Sequence, residues 1–190
     1  VYGLKPTYGR VGRSGAVPRT WSMDCIGPLA SHADDLGIVL AAISGFDADD
    51  PTSRRDSEFI WTRQGFDNPP RIGVLSDKSG GDMPLANYER AVRSIEQSGF
   101  PLIPKSLDKL DLYTEYHQRV VKSEAATYHR AVLRGKDSTV APETVEALRS
   151  GMQISAMEYL EAQTQRELLL QEFLDLVMND VEVLAPPVSY

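Results

Sequence analysis

Residues 71–104 read RIGVLSDKSGGDMPLANYERAVRSIEQSGFPLIP, and this stretch decides the fold class. Ile72, Val74 and Leu75 form a short apolar run directly after the Pro69-Pro70 stop, the signature of a brief buried strand. Asp82 and Pro84 then open a helix in which Leu85, Tyr88, Val92 and Ile95 recur at helical spacing until Gly99 ends it. The stretch FPLIP, residues 100–104, is extended again. Strand, helix and strand in this order make a βαβ unit whose two strands run parallel. The chain is therefore α/β.

Toward the C-terminus the helical pattern continues. Residues 107–134 predict one long helix or two consecutive ones closed by Gly135, and Pro142 opens a further short helix that stops at Gly151. Ser155 and Glu158 form a capping box ahead of a helix to about Met178, with Leu169, Phe173, Leu176 and Val177 on its buried face. The stretch VEVLAPP, residues 181–187, is a final strand closed by Pro186 and Pro187. A core strand wants neighbours on both sides, so the chain reads as cut at this end.

Toward the N-terminus, Ser31 and Asp34 resemble a capping box, Asp35 suits the positive helix end, and Leu36, Val39, Leu40 and Ile43 make one apolar stripe until Gly45. Residues 46–70 mix charges, Gly and Pro and are expected to form a surface connection, partly ordered by Phe59, Ile60 and Trp61. The opening VYGLKPTYGRVGRSG has the composition of a tight structured loop, with Gly3, Gly9, Gly12 and Gly15 available for positive φ and Pro6 holding Lys5 extended. Such a loop serves a site or a packed corner, so this end too reads as the middle of something.

The bulk numbers narrow the function. A length of 190 residues suits a single unit with a sizeable core. A net charge of −7 argues against a nucleic-acid-binding surface as the main business, because phosphate contacts need clustered Lys and Arg. The single cysteine, Cys25, cannot form an internal disulfide, and no CxxC or Cys/His cluster suggests zinc, which makes cytosol the default compartment. No apolar run approaches the roughly 18 residues of a membrane span.

Candidate chemistry read from residue types alone is thin. His32, in the first turn of a helix, reads as a solvated surface residue, and a triad of Ser22, His117 and Asp24 has no support from spacing. Glu115 with Glu124, or Asp47, Asp49 and Asp50 in the run DADD, could be paired acids or calcium ligands, but the run lacks the Gly and distal Glu of an EF-hand loop. Neither GxGxxG nor GxxxxGK[ST] occurs.

A longer pattern is informative. GLKPTYGRVGRSGAVP (3–18), followed by WSMDCIGPLASHADDLGIVLAAISGFDADDPTS (21–53), resembles the segment that directly follows the nucleophile region of amidase signature enzymes. Within it Ser22-x-Asp24-x-x-Gly27-Pro28 and Gly45-x-Asp47-x-x-Asp50-x-x-Ser53 stand in register. RIGVL, SEAATYHRAVLR, ISAMEYLEAQTQR and DVEVLAPP resemble the family's later blocks in order, so the similarity covers nearly the whole chain. Ser31 departs from the pattern, which usually has a basic residue there.

The resemblance implies an α/β fold with a mixed sheet flanked by helices, and residues 1–190 as a single partial domain. It implies hydrolysis of a carboxamide by a Ser, cis-Ser, Lys triad, in which a neutral lysine activates the nucleophile and backbone N–H groups form the oxyanion hole. All three triad residues belong to segments before Val1, so no catalytic residue is expected within the chain, which alone is expected to be inactive. Lys5 matches the structural lysine of GLKP and is expected to fix its loop. Trp21, Ser22 and Asp24, in a turn beside the acyl pocket of family members, are the expected substrate-binding residues, with Trp21 walling the pocket and Asp24 holding loop hydrogen bonds. No cofactor or metal is implied. The expected partners are a small-molecule amide and, for the full-length protein, a second copy in a homodimer, with no direct nucleic-acid or membrane contact. Two alternatives stay open: the A subunit of a glutamyl- or aspartyl-tRNA amidotransferase, and a degenerate, non-catalytic member acting as a binding module.

Overall fold

The computed structural model describes residues 1–62, 65, 67–75, 82–135 and 140–187, with residues 82–84 in backbone only. The chain divides into two compact units, Val1–Gln64 with Val120–Ser155, and Gly65–Arg119 with Ala156–Tyr190.

In the first unit, β1 (Tyr2–Gly3) and β2 (Leu29–Ala30) pair antiparallel, Tyr2 opposite Ala30. Helix α1 (Ala33–Ile43) follows, with Leu36 and Leu40 buried. Its N-cap is His32, which makes no side-chain cap hydrogen bond, so the expected box beginning at Ser31 is one residue out of place. Val39 and Ile43 are exposed, and the apolar stripe is only half used. The Trp61 ring lies over Gly37, where a Cβ would come within 2.3 Å of it.

The connection after α1 is more ordered than its composition suggests. Arg54 N–H donates to the Gly9 carbonyl and Gly45 N–H to that of Arg10, which laces this segment to the opening loop. Asp50 and Ser57 are buried. Within the expected connection 46–70, residues 63, 64 and 66 lie outside the described residues. Of the four opening glycines only Gly9 and Gly15 have positive φ, at 77° and 82°. Gly12 serves close approach instead, since a Cβ there would stand 2.3 Å from Asp47 Oδ2.

Helix α3 (Leu110–Tyr128) carries the boundary between the units at Arg119 and Val120. Its second half, α4 (Arg130–Arg134) and α5 (Pro142–Met152) belong to the first unit, where Val120, Val121, Ala125, Ala126 and Leu148 are buried. Helix α5 ends at Met152, one residue past the expected stop at Gly151, and Gly151 is also a contact point: a Cβ there would stand 2.1 Å from the Lys122 carbonyl oxygen.

The second unit holds the βαβ motif. Strands β3 (Ile72–Leu75) and β4 (Leu102–Lys105) run parallel, joined through α2 (Asp82–Gln97), and β5 (Val183–Ala185) pairs parallel on the other side of β3. The three-stranded order is β4-β3-β5. The architecture is α/β as expected, with parallel and antiparallel pairings in separate sheets among the described residues. The Tyr88 hydroxyl on α2 lies 3.0 Å from the Leu75 carbonyl and 2.8 Å from that of Ala185, tying the ends of β3 and β5. Arg71 and Glu182 pair at 2.6 Å at the start of the same two strands. Helix α6 (Ala156–Leu176) places Ser155 directly before its first turn. Leu169 and Val177 are buried as expected, whereas Leu176 is 64% exposed.

Candidate functional site

The site is built in the first unit by the loop from Arg13 to Ile26. Thr20 begins a helical turn, its carbonyl accepting N–H bonds from Met23 and Asp24. The Asp24 carboxylate closes the turn on itself, accepting the N–H groups of Arg19 at 2.7 Å and Thr20 at 2.8 Å. Charge-assisted bonds of this kind fix a loop that would otherwise be ordered only by sparse packing.

Glu124 on α3 holds the turn from outside. Its carboxylate accepts the Ser22 N–H at 2.9 Å and the Ser22 hydroxyl at 2.7 Å. The next turn of the helix region contributes His129, whose Nε2 donates to the Pro18 carbonyl at 2.8 Å, which sets the ring's tautomer.

Arg13 ties the same turn to the acidic loop after α1. Its backbone N–H and Nε both reach Asp50 Oδ2, at 2.9 and 3.4 Å. Asp50 also accepts the N–H and hydroxyl of Thr52. Burial pushes the Asp50 carboxyl upward, but these hydrogen bonds and the Arg13 charge outweigh it and hold its pKa at about 2. Asp47 is held below the usual carboxylate range by its hydrogen bonds to Ser14 and Asp49. The carboxylates of Asp47 and Asp50 are thus spent on loop N–H groups, and no cluster of three or more His, Cys, Asp or Glu among the described residues is placed to hold a metal ion.

Between these loops lies an open concavity of about 380 Å³, lined among others by Arg13, Arg19, Trp21, Asp24, Cys25 and Tyr128. Trp21 and Tyr128 are about half exposed and supply its aromatic surface. Of the three residues singled out from the sequence, Trp21 and Asp24 line the concavity, and Ser22 does not. Lys5 Nζ lies 3.4 Å from the carbonyl of the adjacent Pro6 and 3.9 Å from Cys25 Sγ. Residue patterns gave no sign of Arg13 or Tyr128 as part of this site; Arg13 sits among glycines in a stretch that reads as loop, and Tyr128 at a helix end.

The chain belongs to the amidase family: the family profile, described as Amidase, matches residues 1–190. The A subunit of glutamyl-tRNA(Gln) amidotransferase from Burkholderia ambifaria (strain MC40-6) is 29% identical over 228 residues, covering 100% of this chain and 46% of the relative. The protein of the same name from Burkholderia lata is 34% identical over 142 residues, covering 67% of this chain and 29% of the relative. The chain therefore spans about half the length, or less, of the curated relatives it matches. Among solved structures, one reported as the crystal structure of an amidase superposes with a TM-score of 0.79 at 27% identity, covering 99% of this chain and 42% of its own. A variant of the allophanate hydrolase of Kluyveromyces lactis, 21% identical with a TM-score of 0.78 over 95% of this chain and 30% of its own, shares the fold.

Proposed function

We propose that the protein carrying this chain hydrolyses a carboxamide C–N bond, giving a carboxylate and ammonia or an amine. The observation that supports this most directly is the concavity beside the Trp21–Asp24 turn, in a chain matched by the Amidase profile over its whole length. In this reading Trp21 packs against the acyl part of the substrate, Asp24 keeps the turn in shape, and Ser22 anchors the turn through Glu124. Ser22 is not assigned as the nucleophile in this reading, because it does not line the concavity and its hydroxyl serves to tie the turn to Glu124. In this reading the reaction needs no cofactor and no direct nucleic-acid contact and takes place in the cytoplasm. No helix among the described residues is long and apolar enough to cross a membrane.

A second reading rests on the names of the curated relatives: the A subunit of a glutamyl-tRNA amidotransferase, which would release ammonia from glutamine. Ammonia release by the intact protein separates the two. Turnover of aliphatic or aryl amides by the protein alone supports the hydrolase. Release from glutamine that requires glutamyl-tRNA and the other components of the amidotransferase supports the second. Release of neither ammonia nor an amine from either source leaves a non-catalytic family member and sinks both.

A further inference from the structure

Every N–H of the Arg13 guanidinium has a partner. Nε faces Asp50 Oδ2; Nη1 donates to the carbonyls of Trp21 at 2.8 Å and Asp24 at 3.3 Å; Nη2 reaches the Tyr8 hydroxyl at 3.1 Å and Thr52 Oγ1 at 2.6 Å. The side chains of Arg13 and Asp50 are only 9% and 4% exposed. The guanidinium carbon also lies over two rings, 4.9 Å from the centroid of Tyr8 and 5.0 Å from that of Trp21. Tyr8 in turn donates its hydroxyl proton to the Trp21 carbonyl at 2.9 Å.

One nitrogen of Arg13 therefore holds the first and last residues of the Trp21–Asp24 turn, while the face of the same group supports the Trp21 indole. Trp21 is about half exposed and lines the concavity. We infer that Arg13 is the positioning residue that sets where the Trp21 ring stands, and through it which acyl groups the pocket accepts. Asp50 and Thr52 fix the guanidinium from the acidic turn after α1, so that turn acts on substrate choice through Arg13. This rests on the pocket reading proposed above. A lysine cannot substitute: its ammonium satisfies Asp50 as a point charge, but it has no plane to stack on two rings and no fork to span two carbonyls.

The test uses the intact protein, wild type and Arg13→Lys, each also with Trp21→Phe so that the Trp21 fluorescence is obtained by difference. Two quantities are read: acrylamide quenching of the Trp21 component, and the ratio of kcat/KM for a bulky aryl amide to that for a small aliphatic one. The expected result is a Trp21 component at least about twice as quenchable in Arg13→Lys and a bulky-to-small ratio moved roughly tenfold, within the range a reshaped apolar pocket gives. In the Trp21→Phe background the ratio should move much less on adding Arg13→Lys, because the two residues act through one contact. Unchanged quenching, or a common loss for every amide with the ratio intact, overturns the inference. If no amide is turned over by any form, the proposed function falls, while the quenching result still decides the role of Arg13. Should Arg13→Lys not fold, Tyr8→Phe, which removes one acceptor of Arg13 and one donor to Trp21, carries the same two readouts.

Discussion

Glu124 accepts both the backbone N–H and the hydroxyl of Ser22, at 2.9 and 2.7 Å, across 102 residues of sequence. Two charge-assisted bonds from a helix to a single residue of a loop make this pair the external anchor of the candidate pocket turn. Glu124→Ala should destabilise the intact protein by about 2–3 kcal/mol, since hydrogen bonds to charged groups are the stronger class and the Ser22 donors lose their acceptor. Glu124→Gln, which keeps one oxygen, should cost about half of that. Urea midpoints at unchanged m-value measure both, and equal midpoints for wild type and Glu124→Ala would show that the anchor is dispensable.

Asp50 gives a pH signature. Its folded pKa, about 2, lies below the ordinary value of 3.8, so its ionised form stabilises the fold at pH values above about 4, and this contribution disappears as pH falls from about 4 through 2. Asp50→Asn leaves the Arg13 cation buried without its counter-charge and should cost about 3–5 kcal/mol at neutral pH. The difference between wild type and Asp50→Asn should then shrink across the pH 4 to 2 window. A difference that stays constant over that window would mean Asp50 titrates normally and is not held by the Arg13 and Thr52 network.

At Gly151 the limit is steric. A Cβ would stand 2.1 Å from the Lys122 carbonyl oxygen and 2.9 Å from the Ala126 Cβ, where neither backbone can yield cheaply. Gly151→Ala should therefore destabilise by at least about 2 kcal/mol despite the higher helix propensity of Ala, and a neutral or stabilising result in thermal melts would place α5 farther from α3.

The βαβ unit was legible in the sequence because strand, helix and turn signals are local: the apolar run at Ile72–Leu75, the spacing of Leu85, Tyr88, Val92 and Ile95, and the turn glycine at Gly99, which takes φ 84°. The bonds of Asp24 to its own loop, which span five residues at most, were expected from the family resemblance and not from a local signal. Gly151 was legible as the end of α5, which stops one residue later, but its second role as a packing glycine shows only once the neighbouring helix is in place. Leu176 fits the helical spacing of Leu169 and Phe173 yet faces out, since periodicity defines a stripe and not how much of it is covered. Arg13 with Asp50 and Ser22 with Glu124 join positions 37 and 102 residues apart, and polar residues in loops carry no local sign of such partners.

Trp21 and Asp24 lie three residues apart in one turn and should fail in different ways. The indole of Trp21 is 47% exposed and lines the concavity, so it offers contact area to an acyl group and little to the core. Trp21→Ala should shift the bulky-to-small ratio of kcat/KM by about tenfold or more, because discrimination comes only from contacts that differ between transition states. Its melting temperature should stay close to that of the wild type. Asp24→Asn keeps one carbonyl oxygen but replaces a carboxylate that holds two N–H groups, so the turn loosens whichever amide is bound. All amides should then slow by a common factor, about tenfold for a small displacement of positioned groups. A panel of aliphatic and aryl amides, run on both variants of the intact protein alongside thermal melts, decides the matter. If Trp21→Ala lowers the melting temperature by several degrees and slows every amide equally, Trp21 is part of the core and the pocket wall lies elsewhere.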